Sequence, residues 1–248
     1  MTSLLGETLD LKLWTVNQLI NIVHKIYCSL DNDHDVLIIF LDVAKAFDKV
    51  FHKGPLHKLE CLGIDGFLLK WFENYLKGRF HRVVLNGQSS EWREINSGVP
   101  QGSILGPLLF LIFVNDLVDD LSCDPFLFAD DTSLFKTLVN YSDEEIAIIN
   151  DDIKIISNWA DQWRVTFNAS KTTYMIFSKK LYKPDSINII FNGAAIKRVD
   201  THCHLGLHFK DNLNWDTHVT HVCTQASKNI SLLRRLSLHV DRRTKLLI

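Results

Sequence analysis

Three aspartates stand where a carboxylate is costly. Asp42 closes the apolar run Val36-Leu37-Ile38-Ile39-Phe40-Leu41, and Asp130-Asp131 divide two hydrophobic arms, Phe126-Leu127-Phe128-Ala129 and Thr132-Ser133-Leu134-Phe135. Burying an unpaired charge carries a penalty of several kcal/mol, and adjacent carboxylates add like-charge repulsion. Divalent metal ions relieve both costs. Mg²⁺ takes hard oxygen ligands, commonly one or two carboxylates plus substrate phosphates, and a pair of such ions can clamp the attacking and leaving oxygens of phosphoryl transfer. Taken singly, either motif also suits a cap or a solvated loop. Their weight comes from the segment between them.

The elements that would position these groups follow from periodicity. Val16, Leu19, Ile20, Val23, Ile26, Tyr27 and Leu30 have helical spacing and end in the turn Asp31-Asn32-Asp33. The run from Val36 to Leu41 is too short for a typical helix and is predicted as a strand buried on both faces. Gly and Pro punctuate two helices, Leu56 to Cys61 and Phe67 to Leu76, and Asn86-Gly87 announces a hairpin after Val83-Val84-Leu85. Ile104 to Leu117 reads as a buried helix, with Pro107 tolerated near its first turn. Phe126 to Phe135 reads as a tight hairpin with both carboxylates at its tip. Ser142-Asp143-Glu144-Glu145 is a capping-box sequence opening an amphipathic helix on the stripe Ile146, Ile149, Ile153, Ile156, Ala160, Trp163. Strands are predicted at Thr173 to Phe177, Ile187 to Phe191 and His204 to Phe209, then a helix from near Trp215 toward His239. This order implies an α+β fold, an antiparallel sheet backed by helices, able to bring Asp42 beside Asp130.

Composition sets the class. The 248 residues are 46% hydrophobic and 23% charged, which excludes disordered and fibrous chains. The longest apolar run, Ile104 to Val114, contains Pro107 and falls short of the roughly 20 residues that span a bilayer. The N-terminal stretch has no secretory pattern, so an intracellular protein with no membrane partner is expected. Five cysteines without a Cys-x-x-Cys pair argue for reduced, mostly structural thiols. Net charge is only −2, but Asn115 to Asp161 holds twelve acids against Lys136 and Lys154, whereas His221 to Ile248 holds six Lys or Arg against Asp241. An acidic centre beside a basic tail suits a metal site next to a phosphate-tracking element.

Three segments together resemble, in order and spacing, the palm motifs of reverse transcriptases, most closely those of jockey-like non-LTR retrotransposons. They are Leu41 to Val50 (LDVAKAFDKV), Ser97 to Leu108 (SGVPQGSILGPL) and Phe128-Ala129-Asp130-Asp131. Gly63-Ile64-Asp65-Gly66 leading into Trp71 to Leu76, Asn168 to Thr172 and His204-Leu205-Gly206 extend the resemblance over roughly Val16 to Val240. The resemblance implies an RNA-directed DNA polymerase with Mg²⁺ as cofactor, two ions, Mn²⁺ being possible. Asp42 and Asp130 would ligate both ions with the backbone carbonyl of Val43, and Asp131 would support the site. Phe47 falls at the family's steric gate against a ribose 2′-hydroxyl, although a core Phe has the same pattern. Gln101 and Gly102 would shape the nucleotide pocket. Lys171 aligns with a lysine proposed to protonate the pyrophosphate leaving group. His204, Leu205 and Gly206 would form the primer grip, where relatives usually have Tyr at position 204.

The implied partners are an RNA template, a DNA primer and dNTPs, with phosphates held by groups such as Lys77, Arg79, Arg82, Arg234 and Arg235. The implied organisation is a partial fingers segment and N-terminal helix over 1–35, a palm over 36–212 with a fingers insertion at about 51–96, and the start of a helical thumb over 213–248. Nuclear action is implied by family habit alone. Relatives carry a Gly-Phe-Arg and Ser-Thr fingers pattern where Gly6 to Lys12 stands here, and the sequence ends at Leu246-Leu247-Ile248 inside the thumb. A catalytically inactive transposon remnant, truncated at both ends, is therefore the competing expectation. An RNA-dependent RNA polymerase is disfavoured by Phe47 and Ala129. A histidine-rich metal module around His202, Cys203, His204, His208, His218, His221 and Cys223 fits no common zinc spacing.

Overall fold

A computed structural model of the chain describes residues 11–180, 184 and 187–236. In chain order these form α1 (Leu11–Asp31), β1 (Asp35–Asp42), α2 (Lys53–Cys61), α3 (Gly66–Leu76), β2 (Arg79–His81), β3 (Val84–Leu85), β4 (Gln88–Ser89), β5 (Arg93–Ile95), α4 (Leu105–Val114), β6 (Asp124–Phe128) and β7 (Asp131–Leu138). They continue as α5 (Asp143–Trp163), β8 (Thr173–Phe177), β9 (Ile190–Phe191), β10 (Ala194–Ala195), β11 (Lys197–Arg198), β12 (Thr201–His204), β13 (Leu207–Lys210) and α6 (Asp216–Leu236).

The strand that ends on Asp42 is the middle of a five-stranded sheet ordered β11-β8-β1-β7-β6. Its neighbours run antiparallel, and the single parallel pair is β11 with β8. The lack of polar alternation in β1 now has its cause: both faces are covered. Leu37, Ile39 and Leu41 join one core with α2 to α5. Val36, Ile38 and Phe40 join a second with α1 and Phe209 of β13. The fold is thus α+β, an antiparallel-dominated sheet with helices.

The amphipathic stripe of α5 is buried as its period requires, with Ile149, Ile153, Ile156 and Ala160 all in the first core. Its capping box is complete: Ser142 Oγ accepts from the Glu145 N–H, and the Glu145 carboxylate accepts from the Ser142 N–H. Between α2, α4 and α5 lies a buried ammonium. Lys58 donates to the Phe113 carbonyl and to Asp116 and lies 4.4 Å from the Trp163 ring centre and 5.0 Å from those of Phe113 and Trp159. Desolvation lowers its pKa, partly countered by Asp116.

Three expectations need correction. His204 to Phe209 is not one strand but a two-residue hairpin: His204 pairs with Leu207, and Leu205 and Gly206 turn the chain at φ 49° and 82°. The strand over Ile187 to Phe191 shrinks to β9, because the Ile187 N–H and carbonyl are both bonded to the Tyr174 hydroxyl, not to a neighbouring strand. Only Cys123 of the five free cysteines is buried, so four are surface thiols. The altered fingers segment at Gly6 to Asp10, the approach of the last helix to His239 and the Leu246-Leu247-Ile248 end lie outside the described residues. No described helix is long and apolar enough to cross a membrane.

Candidate active site

The carboxylates are placed by register. β1 and β7 pair over eight rungs, from Asp35 opposite Leu138 to Asp42 opposite Asp131. Cross-strand partners project from the same face, with Cβ atoms about 4.5–5.5 Å apart. β6 closes on β7 through Phe128 opposite Asp131, leaving Ala129 and Asp130 as the two loop residues. Ala129 has φ 53°, a left-handed conformation for which hairpins of this length favour glycine. Burial, then the neighbouring charges of Asp130 and Asp42, raise the Asp131 pKa.

A second segment is stitched to the end of β1. The chain leaves α5 through a left-handed Arg164 (φ 58°) and runs beside Asp42: the Ala44 N–H donates to the Thr166 carbonyl at 2.8 Å, Val43 bridges Phe167, and the Asn168 N–H donates to the Asp42 carbonyl at 2.7 Å. Asn168 then caps a turn by accepting from the Lys171 and Thr172 N–H groups. The result puts the Lys171 ammonium 3.7 Å from Asp42 Oδ1, with the lysine side chain mostly exposed.

The loop 97–106 is clamped to the turn that follows β1. Gly98 N–H donates to Val50, Val99 N–H to Phe47, Ser97 Oγ to the Asp48 carbonyl, and Gln101 Nε2 to Asp48 Oδ1 at 2.8 Å. Gly98 (φ 86°) is required here, since a Cβ would meet the Asp48 carbonyl oxygen at 2.6 Å. His52 Nε2 bonds the Gly98 carbonyl at 2.9 Å, and its burial lowers the imidazole pKa. Gly102 (φ 81°) has open space around it. Phe47 is half-buried, its ring packed on Phe110 with centroids 4.6 Å apart. Phe47 and Gln101 thus belong to one bonded unit. Asp48 and His52 were not singled out from sequence; no local pattern marks a partner about 50 residues away.

On the face carrying Asp42, the β12–β13 hairpin covers Phe40. The His202 ring stacks on Phe40 at 3.8 Å, and His204, 4% exposed, lies 5.3 Å from it. His204 therefore turns inward, and its Nε2 has no hydrogen-bond partner. Leu205 and Gly206 form the turn itself. Lys77 caps the end of α3, Arg79 opens β2 and Arg82 directly follows it, while Arg234 and Arg235 lie in the last turn of α6, well separated in sequence from the carboxylates.

The family model for reverse transcriptase (RNA-dependent DNA polymerase) matches residues 11–213. The chain belongs to the reverse transcriptase family. Among curated relatives, the RNA-directed DNA polymerase from mobile element jockey of Drosophila melanogaster is 27% identical over 84% of this chain and 23% of its own. The probable RNA-directed DNA polymerase from transposon X-element of the same species is 30% identical over 88% of this chain and 24% of its own. The chain thus spans about a quarter of the length of these relatives. The apo telomerase of Candida tropicalis truncated from its C-terminal domain shares the fold, with TM-score 0.52 at 12% identity over 81% of this chain and 39% of that one.

Reverse transcriptases use divalent metal ions, and their fold implies binding of RNA template and primer. The donor set here fits a hard cation: two cross-strand carboxylates, a third beside them in the turn, and mutual repulsion that a cation would relieve. The three do not converge closely enough to enclose an ion by themselves, and among the described residues no other three His, Cys, Asp or Glu side chains do. An ion held by these carboxylates would complete its ligands from backbone carbonyls, phosphates and water.

Proposed function

We propose that this chain is the polymerase core of an RNA-directed DNA polymerase, joining a primer 3′-hydroxyl to the α-phosphate of a dNTP on an RNA template. The observation that carries the reading is the register that puts Asp42 opposite Asp131, with Asp130 in the adjoining turn. Asp42 and Asp130, with the backbone carbonyl of Val43, would hold two Mg²⁺ ions, Mn²⁺ being an alternative, and Asp131 would support them. Bound there, the ions supply charge neutralisation to the attacking and leaving oxygens.

The chain's own groups do the rest. Lys171, anchored by the Asn168 turn, gives a proton to the departing pyrophosphate. Phe47 crowds the sugar 2′ position, and Gln101 and Gly102 shape the pocket for the base pair. The Leu205-Gly206 turn, with His204 packed beneath it, bears on the primer. In this reading 36–212 is the palm with an insertion at about 51–96, 1–35 belongs to the fingers side and 213–248 begins the thumb. The family resemblance suggests the nucleus as the setting. Catalysis rests on positioning and electrostatics rather than a covalent intermediate.

The test is extension of a DNA primer on RNA with Mg²⁺ and dNTPs. Asp130→Asn is expected to cut the rate at least a hundredfold with folding unchanged. Extension that survives Asp130→Asn, or that proceeds in excess chelator, would refute the assignment.

A further inference from the structure

We propose that the ribbon β2–β5 is a stacking platform for single-stranded nucleic acid, a site separate from the carboxylates. The register of Arg79 with Ile95, Phe80 with Glu94 and His81 with Arg93 puts Phe80, Arg82, Trp92 and Glu94 on one face when carried one rung further. Phe80 is 56% and Trp92 61% exposed, and the Arg82 guanidinium lies over the Trp92 ring at 4.7 Å. Two exposed aromatics and a guanidinium on one face of a short ribbon offer stacking surfaces to a planar group. Sequence-tolerant single-strand binding is built this way, from base–aromatic stacking, Arg contributions and a basic track.

Charge selects nucleic acid over an apolar protein partner. Residues 77–95 hold Lys77, Arg79, Arg82 and Arg93 against Glu91 and Glu94, and the stretch from Lys77 to Arg82 contains no acid. An Nη atom of Arg79, at the start of β2, is buried without a hydrogen-bond partner. The ribbon also continues into the proposed nucleotide pocket. Trp92 is five residues before Ser97, hence within about 18 Å of it by chain length, and Ser97 is bonded to Asp48. On the polymerase reading, on which this role rests, the occupant is the unpaired template RNA next to the pocket.

The experiment measures anisotropy of a labelled, unstructured 20-nucleotide RNA, and of an RNA–DNA hybrid of the same length, with the full chain in chelator. Phe80→Ala with Trp92→Ala is expected to weaken single-strand binding about tenfold or more and hybrid binding less than twofold; Trp92→Phe should recover most of the loss. Arg82→Ala should lower the salt dependence by about 0.7 in log–log slope. Asp130→Asn should leave single-strand affinity unchanged, so a chain that binds through the ribbon yet never extends a primer defeats the polymerase reading alone. No single-strand binding by the wild type, equal losses on both ligands, or sedimentation showing that the double variant abolishes a dimer would overturn the proposal, the last in favour of a second copy of the chain.

Discussion

Two imidazoles next to the carboxylate face are held neutral by their surroundings. Burial pushes His202 down to about 4, and burial with the nearby His202 charge does the same to His204. An unfolded histidine titrates near 6.5, so acidification adds protons to the unfolded chain before the folded one. Their contribution to stability is complete above about pH 6.5 and is lost as pH falls from there toward 4. Urea midpoints measured across that window should decline, and His202→Phe with His204→Phe should flatten the decline; an unchanged slope would contradict the burial. Phe47 gives a second residue-scale prediction. With its ring wedged on Phe110, Phe47→Ala opens space beside the sugar, and the preference for dNTP over rNTP, read as a kcat/KM ratio, should fall roughly tenfold or more. Asp42 and the Asp130-Asp131 pair were legible in sequence because a charge inside an apolar run calls for a reason. The Asp48–Gln101 bond was not, since its partners lie 53 residues apart and neither is unusual where it stands.

At the scale of elements, the clamp between the turn after β1 and the loop 97–106 depends on one missing methyl. Gly98→Ala would drive a Cβ into the Asp48 carbonyl at a φ that side chains avoid. It should destabilise the chain by about 2 kcal/mol or more, seen as a lowered urea midpoint, and should free Gln101 from Asp48. Gly102→Ala, with open space around it, carries only the backbone strain, about 1 kcal/mol. A comparable loss in both would mean that contact with Asp48 is not what fixes Gly98. Sequence reading succeeded for α5 because cap, period and apolar stripe agreed. It failed at Leu205-Gly206 because Leu is a poor advertisement for a left-handed turn position, and at Ile187 because a tyrosine hydroxyl took over what a strand would have bonded.

For the molecule as a whole, the sheet separates two cores, and β1 contributes alternate residues to each. The α+β class and the antiparallel pairing could be foreseen from the order of elements; the parallel β11–β8 pair could not, because Lys197-Arg198 is too short and polar to read as a strand. Every rung from Val36 to Leu41 is thereby committed twice, once to a core and once to β7. That double commitment bears on how such a chain can change over generations. Replacing Ile38 by Val alters one packing contact, whereas inserting one residue between Val36 and Leu41 exchanges the two faces of the rest of the strand and moves Asp42 away from Asp131. The Asn86-Gly87 hairpin, exposed at its tip, carries no such count. One extra residue there should leave the urea midpoint and primer extension near wild type, while one in β1 should abolish both. Sequences descended from this one can drift in spelling along β1, but not in length.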